Sequence, residues 1–305
     1  MSGPPRLFDR GLHRRRLERA APHFAEAGFL KARAAEDLIE RLEAVRRRFP
    51  LAADLGARDG AVARALAASD AADKVDLLVE ADLSAAMLEA SAGVRLVADE
   101  ERLPFAEQSL DLVISALSLH WTNDLVGALI QIRQALKPDG LFLGALLSGA
   151  TLTELRQSLT QAEIELTGGA GPRVSPFADA YDCAGLLQRA SFALPVVDVD
   201  RVTVRYDHAL ALMRDLRAMG ETNVLLEASG RPLTRALLAR AMDIYAERFA
   251  GPDGRLAATF EIVTLTGWAP HPDQPKPLRR GSAKMRLADA LGTTERSAAG
   301  SGEPS

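Results

Sequence analysis

The feature that most constrains this chain is an alternation of buried strands and helices between residues 49 and 147. Five apolar runs predict strands, at residues 51–53, 77–79, 94–98, 110–116 and 141–147. Parallel strands that alternate with helices need helices on both faces of the sheet, and their crossovers are right-handed. The sequence therefore predicts an α/β fold with a Rossmann-like, mostly parallel, doubly wound sheet.

The pattern changes after Ser148, where helical segments are followed by longer strands. Branched and polar residues alternate at 196–206 and apolar and polar residues at 258–268, which predicts two further strands. We expect these two strands to form an antiparallel hairpin at the edge of the sheet, which gives seven strands in all. The helical segments at about 151–191 and 207–250 are then insertions into the sheet domain.

Three regions follow from these patterns. Residues 1–48 are predicted to form an N-terminal helical arm, because apolar residues between 30 and 45 recur at helical spacing. Residues 49–269 form the sheet domain. Residues 270–305 are rich in Pro, Gly, Ser and charge, and are predicted to be a disordered tail.

Composition excludes several classes of protein. The net charge of −4 gives no general reason to bind nucleic acid, although residues 10–19 are locally basic. Cys183 is the only cysteine, and no Cys or His pair has metal-ligand spacing, so neither a disulfide nor a metal site is expected. No run reaches the roughly 18 apolar residues of a membrane span. We expect a cytoplasmic protein without an integral membrane segment, and Asp9 and Glu18 argue against a transit peptide.

The stretch A-A-D-L-G-A-R-D-G-A-V at 52–62 lies where a doubly wound sheet binds its ligand. Gly56 and Gly60 allow the backbone to approach a nucleotide closely. A dinucleotide turn that starts at Gly56 needs glycine at position 58, where this chain has Arg58. The turn therefore gives only weak support for NAD.

Carboxylates follow successive predicted strands. Asp54 ends the first strand, Asp82 ends the second and Asp99 follows the third. An acid at the end of the second strand can accept hydrogen bonds from both ribose hydroxyls, and Asp82 is preferred to Glu80 for that role. Asp99 points to the same crevice, where it could accept an adenine amino group. The three acids together predict a nucleoside site.

Five segments resemble, in order and spacing, the class I S-adenosylmethionine-dependent methyltransferases: D-L-G-A-R-D-G, D-L-S-A-A-M-L, D-E-E-R-L-P-F, D-L-V-I-S and L-K-P-D-G. This resemblance covers about residues 50–147 and implies S-adenosylmethionine as the cofactor. The residues that it implies are Asp54 and Gly56 near the methionine end, Asp82 on the ribose, Asp99 with Glu100 beside the adenine, and Gly60 and Leu83 in the same loops.

A narrower resemblance extends over nearly the whole chain. The segments L-F-D-R-G-L-H-R-R-R, S-A-L-S-L-H-W-T-N-D-L, M-R-D-L-R-A-M-G-E-T-N and G-W-A-P-H-P-D-Q-P-K-P are similar to the complex I assembly-factor branch. Members of that branch are linked to hydroxylation of an arginine in a subunit of NADH:ubiquinone oxidoreductase. The chain also resembles the malonyl-carrier-protein methyltransferase of biotin synthesis. These likenesses imply a protein partner, either a complex I subunit or a carrier protein.

Arg58 departs from the glycine that these families usually have at its position. A left-handed conformation at a residue other than glycine costs about 1 kcal/mol or more. A guanidinium about 5 Å from the positive sulfonium would add about 3 kcal/mol of repulsion at an effective dielectric of about 20. Cofactor binding survives if Arg58 swings outward to pair with Asp59, or if it grips the cofactor carboxylate.

Candidate substrate residues follow the fourth strand. Methyl transfer is an in-line displacement that needs mainly alignment and a dry pocket. His120 and Trp121 are the candidate catalytic residues, His120 as a base and Trp121 as a wall of the substrate pocket. Further substrate candidates are Asn123, Asp124, Tyr206, Glu221 and Asn223. The alternative is that Trp121 packs against a helical cap and His120 is a solvated loop residue.

Three hypotheses remain open at this point. The chain is a methyltransferase-fold enzyme of the complex I assembly type, or a small-substrate methyltransferase that acts on an acyl-carrier thioester, or a non-catalytic assembly protein whose cofactor site has decayed at Arg58. No His-x-Asp spacing of the kind used by iron oxygenases is found in the sequence, so hydroxylation rests on the resemblance alone.

Overall fold

A computed structural model of the chain describes residues 6–227, 232–275 and 292. It contains a seven-stranded sheet with the strand order β3-β2-β1-β4-β5-β7-β6. The strands are β1 Phe49–Leu55, β2 Val75–Asp82, β3 Val94–Val97, β4 Leu110–Ala116, β5 Leu136–Leu147, β6 Ala193–Tyr206 and β7 Leu256–Trp268. Strands β1 to β5 pair in parallel, whereas β7 is antiparallel to both β5 and β6. The predicted fold class, including the antiparallel edge pair, is confirmed.

Helices cover both faces of the sheet. The α-helices of the described residues are α1 Arg10–Ala20, α2 Phe24–Ala27, α3 Phe29–Glu43, α4 Ala61–Ala67, α5 Leu125–Ala135, α6 Thr153–Thr167, α7 Ala180–Arg189, α8 Ala209–Ala218 and α9 Arg235–Phe249. Single 3-10 turns lie at Ala21–His23, Ala72–Lys74, Met87–Ala90 and Leu119–Trp121.

The sheet divides the buried apolar residues into two layers. Leu112 and Ile114 of β4 contact one layer, together with α3, α4, α6, α8 and α9. Val113 lies between them in sequence and contacts the other layer, with α5 and α7. Successive side chains of a strand point to opposite faces, so a strand that is apolar throughout serves both layers.

Two local predictions differ from the structure. The helix predicted after Ser84 is only the 3-10 turn Met87–Ala90, because Glu80 binds the loop at Ser91 and Gly93 and β3 begins directly afterwards. Strand β5 begins before the predicted residue 141, since the K-P-D-G segment continues the strand.

The N-terminal arm consists of α1, α2 and α3, and β1 begins at Phe49. The domain boundaries proposed from the sequence stay predictions. The tail prediction for 270–305 lies mostly outside the described residues. Among the residues that the structure describes, no helix is both long and apolar enough to cross a membrane.

Candidate functional site

The carboxyl ends of the parallel strands meet where the strand order reverses, between β1 and β4. This is the edge at which doubly wound sheets bind ligands. Asp54 lies near the end of β1, Asp82 ends β2, and Asp99 follows β3. Ser118 occupies the corresponding place after β4. Three acids that are far apart in sequence are therefore placed at consecutive strand ends.

The turn after β1 contains three residues in the left-handed region. Gly56, Arg58 and Gly60 have φ angles of 71°, 55° and 77°. The backbone N–H groups of Gly56 and Ala57 donate to the carbonyl of Ala81, at 2.8 and 3.0 Å, which fixes the turn against β2. Glycine adopts this conformation without strain, but Arg58 adopts it at a cost of about 1 kcal/mol.

Arg58 points into the protein and forms a buried ion pair with Asp82. The Nη1 atom of Arg58 lies 2.7 Å from Oδ2 of Asp82, and the two side chains are 1% and 0% exposed. Burial opposes the charge of Arg58, but attraction to Asp82 and then to Glu100 raises its pKa above the ordinary value. The predicted pairing of Arg58 with Asp59 is not found, because Arg64 engages Asp59 at 2.6 Å. A contact between Arg58 and the carboxylate of the cofactor stays a prediction.

The hydrogen bonds of Asp82 are made within the protein. Its Oδ2 atom accepts from the backbone N–H of Arg58 at 3.0 Å as well as from Nη1, and its Oδ1 atom accepts from the backbone N–H of Ser84 at 2.8 Å. Glu80, the alternative acid, instead accepts from Ser91 and from the N–H of Gly93. Asp82 is therefore the acid that faces the turn, and Arg58 is its buried partner.

A second arginine binds the next pair of acids. Arg10 of α1 lies 2.6 Å from Asp99 and also forms an ion pair with Glu100, which in turn accepts from the hydroxyl of Ser118. Burial would lower the pKa of Arg10, but attraction to Glu100 and Asp99 raises it above its usual range. The same guanidinium donates to the carbonyl of Trp121. The N-terminal arm thus closes the side of the site at which adenine is expected.

Asp54 and Lys31 occupy the opposite end of the site. Both side chains are buried, and Lys31 donates to the carbonyls of Gly56 and Ala116 at 2.6 and 2.7 Å. Within the described residues, neither carboxylate oxygen of Asp54 has a hydrogen-bond partner. Burial raises the pKa of Asp54 to about 7, although the positive charge of Lys31 opposes that shift. A cationic group of a ligand beside Asp54 would favour the ionised carboxylate.

The acids at the strand ends have the type and the chain order that suit an adenosyl ligand, but arginine side chains fill the space beside the acids at the ends of β2 and β3. Acids stand at the three strand ends, and Asp54 retains unused acceptor atoms where the amino end of the ligand is expected. Arg58 and Arg10 fill the nucleoside side of the site by binding Asp82 and the Asp99–Glu100 pair. A ribose at Asp82 would have to displace the Nη1 bond of Arg58.

A cavity of about 250 Å³ adjoins this cluster. Its wall is mostly apolar and comes from the arm, the end of β5 and the inserted helices. Lys31, Arg58, Trp121, Glu221 and Asn223 supply polar groups to it. Binding sites for small molecules and side chains commonly combine an apolar wall with a few polar groups.

Trp121 and Glu221 line the cavity, and the carboxylate of Glu221 binds both Trp121 and His120. The Nε2 atom of His120 and the indole N–H of Trp121 lie 3.1 and 2.9 Å from the same carboxylate oxygen of Glu221. Trp121 also packs against Phe8 and His13, with ring centroids 5.3 and 5.0 Å apart. His120 is therefore a buried, oriented imidazole, not a solvated loop residue.

The other predicted substrate residues have identifiable structural partners. The Asn123 side chain accepts from the N–H groups of Leu7 and Phe8 at 2.7 Å, and Asp124 caps α5 by accepting from Gly127 at 2.8 Å. Asn223 donates to the carbonyls of Pro172 and Arg173. Tyr206 lies in the core behind the sheet, and Leu83 packs on α1. Only Asn223 of these lines the cavity in the described residues. A role in binding stays a prediction for all of them.

Four site residues were not predicted from the sequence: Arg10, His13, Lys31 and Ser118. A signal existed for Lys31, which shares a helical face with the buried residues Ala35 and Leu38. A lysine on an apolar face needs a buried partner. Arg10 lies in the arm, about 90 residues before the acids that it binds, and His13 packs on Trp121 from the same helix. No local pattern connects either residue with the site.

Acidification is expected to destabilise the protein through His13. Burial, and then repulsion from Arg58 and Arg10, lowers the pKa of His13 well below its ordinary value of 6.5. The unfolded chain therefore binds a proton at His13 more tightly than the folded protein does. The stabilisation from the neutral imidazole is complete above about pH 6.5 and is lost as the pH falls below that value. Urea unfolding at about pH 7.5 and about pH 5.5 measures how much stability each protein loses on acidification. This loss should be about 1 kcal/mol smaller for His13→Gln than for the wild type.

The matched control for this experiment is His23→Gln, because His23 is exposed. It should retain the pH dependence of the wild type. An identical pH dependence in all three proteins would contradict the assignment of His13 as a buried neutral imidazole.

Comparisons with known proteins identify the family of the chain. Residues 53–144 match the family model of the methyltransferase domain. The arginine hydroxylase NDUFAF5, mitochondrial, of Danio rerio is 40% identical over 290 residues, which cover 93% of this chain and 89% of that protein. The chain belongs to the methyltransferase family that contains NDUFAF5.

Two further similarities fit the same family. The malonyl-[acyl-carrier protein] O-methyltransferase of Methylovorus sp. (strain MP688) is 33% identical over 285 residues, 88% of this chain and 92% of that protein. The crystal structure of the YcgJ protein of Bacillus subtilis has a TM-score of 0.53 at 14% identity, over 77% of this chain and 98% of that one. The structural likeness supports the class I methyltransferase fold. The chain thus carries a methyltransferase domain whose family cofactor is S-adenosylmethionine.

Proposed function

We propose that the chain acts on a protein partner in the assembly of respiratory complex I, using a methyltransferase-type site for S-adenosylmethionine. The observation that carries this proposal is the position of the cavity. Its wall includes Arg58, which binds the strand-end acid Asp82, and Arg217, which belongs to an arginine-rich part of the surface, so one ligand could reach both. The near full-length similarity to NDUFAF5 supports the same choice.

The arginine-rich part is a surface formed by α1 and α8, here called the arginine surface, with Arg15, Arg16, Arg19 and Arg217. Within the residues that the structure describes, none of the four forms an ion pair. Burial, and then repulsion from the other three, lowers the pKa of Arg16. Arg217 also lines the cavity. An unbalanced positive surface beside a cavity suits an acidic protein segment, which would bring its target side chain to the opening.

Within this function the cofactor residues keep their predicted roles as proposals. Asp82 is assigned to the ribose once Arg58 has moved, and Asp54 to the amino end. The other assignments are Asp99 and Glu100 beside the adenine, and Gly56, Gly60 and Leu83 in the loops that would border the cofactor. His120 is a candidate base that Glu221 orients.

The proposal is tested by deleting the gene and measuring assembled NADH:ubiquinone oxidoreductase in membranes. We expect the amount of the complex to fall, and wild-type protein to restore it. The double variant Arg15→Glu/Arg19→Glu should fail to restore it, because charge reversal repels an acidic partner. The control Arg48→Glu changes an arginine that is 68% exposed and lies outside the arginine surface, so it should restore assembly. Normal complex I in the deletion strain would contradict the proposal.

A second candidate is a methyltransferase that acts on a malonyl thioester of a carrier protein. Its support is the 33% identity to the Methylovorus enzyme, together with an apolar cavity that contains Lys31 and Arg58, which suit an acid on an acyl chain. Under this alternative, the deletion strain would require biotin while its complex I remained normal.

We also propose a cytoplasmic location from the sequence, whereas the similar NDUFAF5 proteins are named mitochondrial. Fractionation of cells that produce the tagged chain tests this location. Recovery of the tagged chain in an organelle would contradict it.

A further inference from the structure

We propose that Arg58 competes with the ribose of S-adenosylmethionine for Asp82, and that this competition sets the affinity of the site for its cofactor. This inference rests on the cofactor of the proposed function. It predicts that the unaltered protein binds S-adenosylmethionine weakly, and that a glycine at position 58 converts it into a tight binder.

The first support is the hydrogen bonding of Asp82. Its Oδ2 atom accepts two hydrogen bonds from Arg58, at 3.0 Å from the backbone N–H and 2.7 Å from Nη1. Its Oδ1 atom accepts from the N–H of Ser84. A ribose diol must displace the Nη1 bond, which joins two charged groups and is roughly twice as strong as a bond between neutral groups. The ribose diol therefore binds Asp82 less favourably than it would in the absence of Arg58.

The second support is the space that Arg58 fills. Arg58 is the largest of the described side chains that are fully buried, and it also borders the cavity. A ligand group cannot lie beside this guanidinium at Asp82, because protein interiors are closely packed. Binding requires the arginine to leave, and a guanidinium that leaves must find another anion or reach water.

The third support is the set of charges around Arg58. The acids Asp82, Glu100 and Glu221 attract it, and they leave it positively charged. Moving the Arg58 cation away from three nearby acids is unfavourable, so the ion pair between Arg58 and Asp82 remains the favoured arrangement. Lys31 is a cation close to Arg58, so it offers the guanidinium no new partner.

The backbone makes glycine the informative substitution. Arg58 has a φ angle of 55°, a conformation that glycine adopts without strain. Arg58→Gly removes the competing guanidinium and relieves the strain together. Arg58→Ala removes only the guanidinium, and Arg58→Gln keeps a neutral donor of intermediate length. The order of affinity for S-adenosylmethionine should be Gly, then Ala, then Gln, then the wild type.

Titration calorimetry of the full chain with S-adenosylmethionine and S-adenosylhomocysteine tests the proposal. We expect Arg58→Gly to bind about tenfold to a hundredfold more tightly than the wild type. The double variant Arg58→Gly/Asp82→Ala should lose that gain. Arg48→Gly is the matched control, because Arg48 is 68% exposed and binds Asp76 near the start of β2, away from the site. It should bind like the wild type. Circular dichroism and thermal melts establish that each variant is folded.

Two results would overturn the proposal. Tight binding of S-adenosylmethionine by the unaltered protein would show that Arg58 does not compete, and this result needs no variant to fold. Absence of binding by every folded variant would show that Arg58 is not the obstacle. Neither result depends on complex I assembly by the deletion strain, so failure of this inference and failure of the proposed function can be told apart.

Discussion

Replacement of Asp82 by alanine is expected to lower the free energy of unfolding by about 3–5 kcal/mol, because it leaves the buried guanidinium of Arg58 without its anion. The pair is almost completely buried, with side chains 1% and 0% exposed. The substitution also removes the acceptor for the backbone N–H groups of Arg58 and Ser84. Urea unfolding of the purified variant measures the loss.

Asp76→Ala provides the matched control at the other end of β2. Asp76 also binds an arginine, Arg48, but the two side chains are 52% and 68% exposed. An exposed pair of this kind contributes at most about 1 kcal/mol. Equal losses of stability in Asp76→Ala and Asp82→Ala would contradict the description of Asp82 and Arg58 as a buried pair.

Gly56→Ala is expected to destabilise the protein by about 2–4 kcal/mol, from left-handed strain and from overpacking. The φ angle of Gly56 is 71°, and an added methyl group would overlap the side chain of Ser118. Ser118 is fully buried and binds Glu100, so it cannot move aside without breaking that bond. Thermal and urea unfolding measure the effect.

Gly168→Ala separates strain from overlap. Gly168 ends α6 with a φ angle of 74°, and an added methyl group there meets no atom within 4 Å. Its cost should be the strain alone, about 1 kcal/mol. If Gly56→Ala were no more harmful than Gly168→Ala, the close approach between the β1 turn and Ser118 would be incorrect.

The fold could be predicted from the sequence because its signals are local. Strand β4 is apolar throughout and was placed at its observed bounds, Leu110–Ala116. The rule that parallel strands present their carboxyl ends at one edge then brought Asp54, Asp82 and Asp99 together without knowledge of their contacts. The short segment after Ser84 was less predictable, because tertiary bonds from Glu80 limit its length.

The partner of Arg58 could not be predicted in the same way. A turn residue with a long side chain can reach Asp59 next to it or Asp82 on the neighbouring strand. The choice depends on Arg64, which engages Asp59, and on the burial of Asp82, which leaves that acid in need of a cation. Both facts follow from the packed structure and not from the spacing of residues.

The role of the arm was also hidden from the sequence. Arg10 belongs to the locally basic segment 10–19, and nothing in the spacing of that segment connects it with the acids at the strand ends. The fold brings Arg10 across 89 positions to Asp99 and 90 positions to Glu100, and Asn123 holds the preceding residues in place. Contacts between residues so far apart in the chain leave no periodic pattern.

The most direct test of the central claim is a crystal structure of Arg58→Gly with S-adenosylhomocysteine. We expect the ribose hydroxyls to lie within hydrogen-bonding distance of Asp82, with the adenine beside Asp99 and Glu100 and the amino group near Asp54. A bound ligand that leaves Asp82 untouched, with its ribose at any other acid, would contradict the claim that Arg58 occupies the place of the ribose.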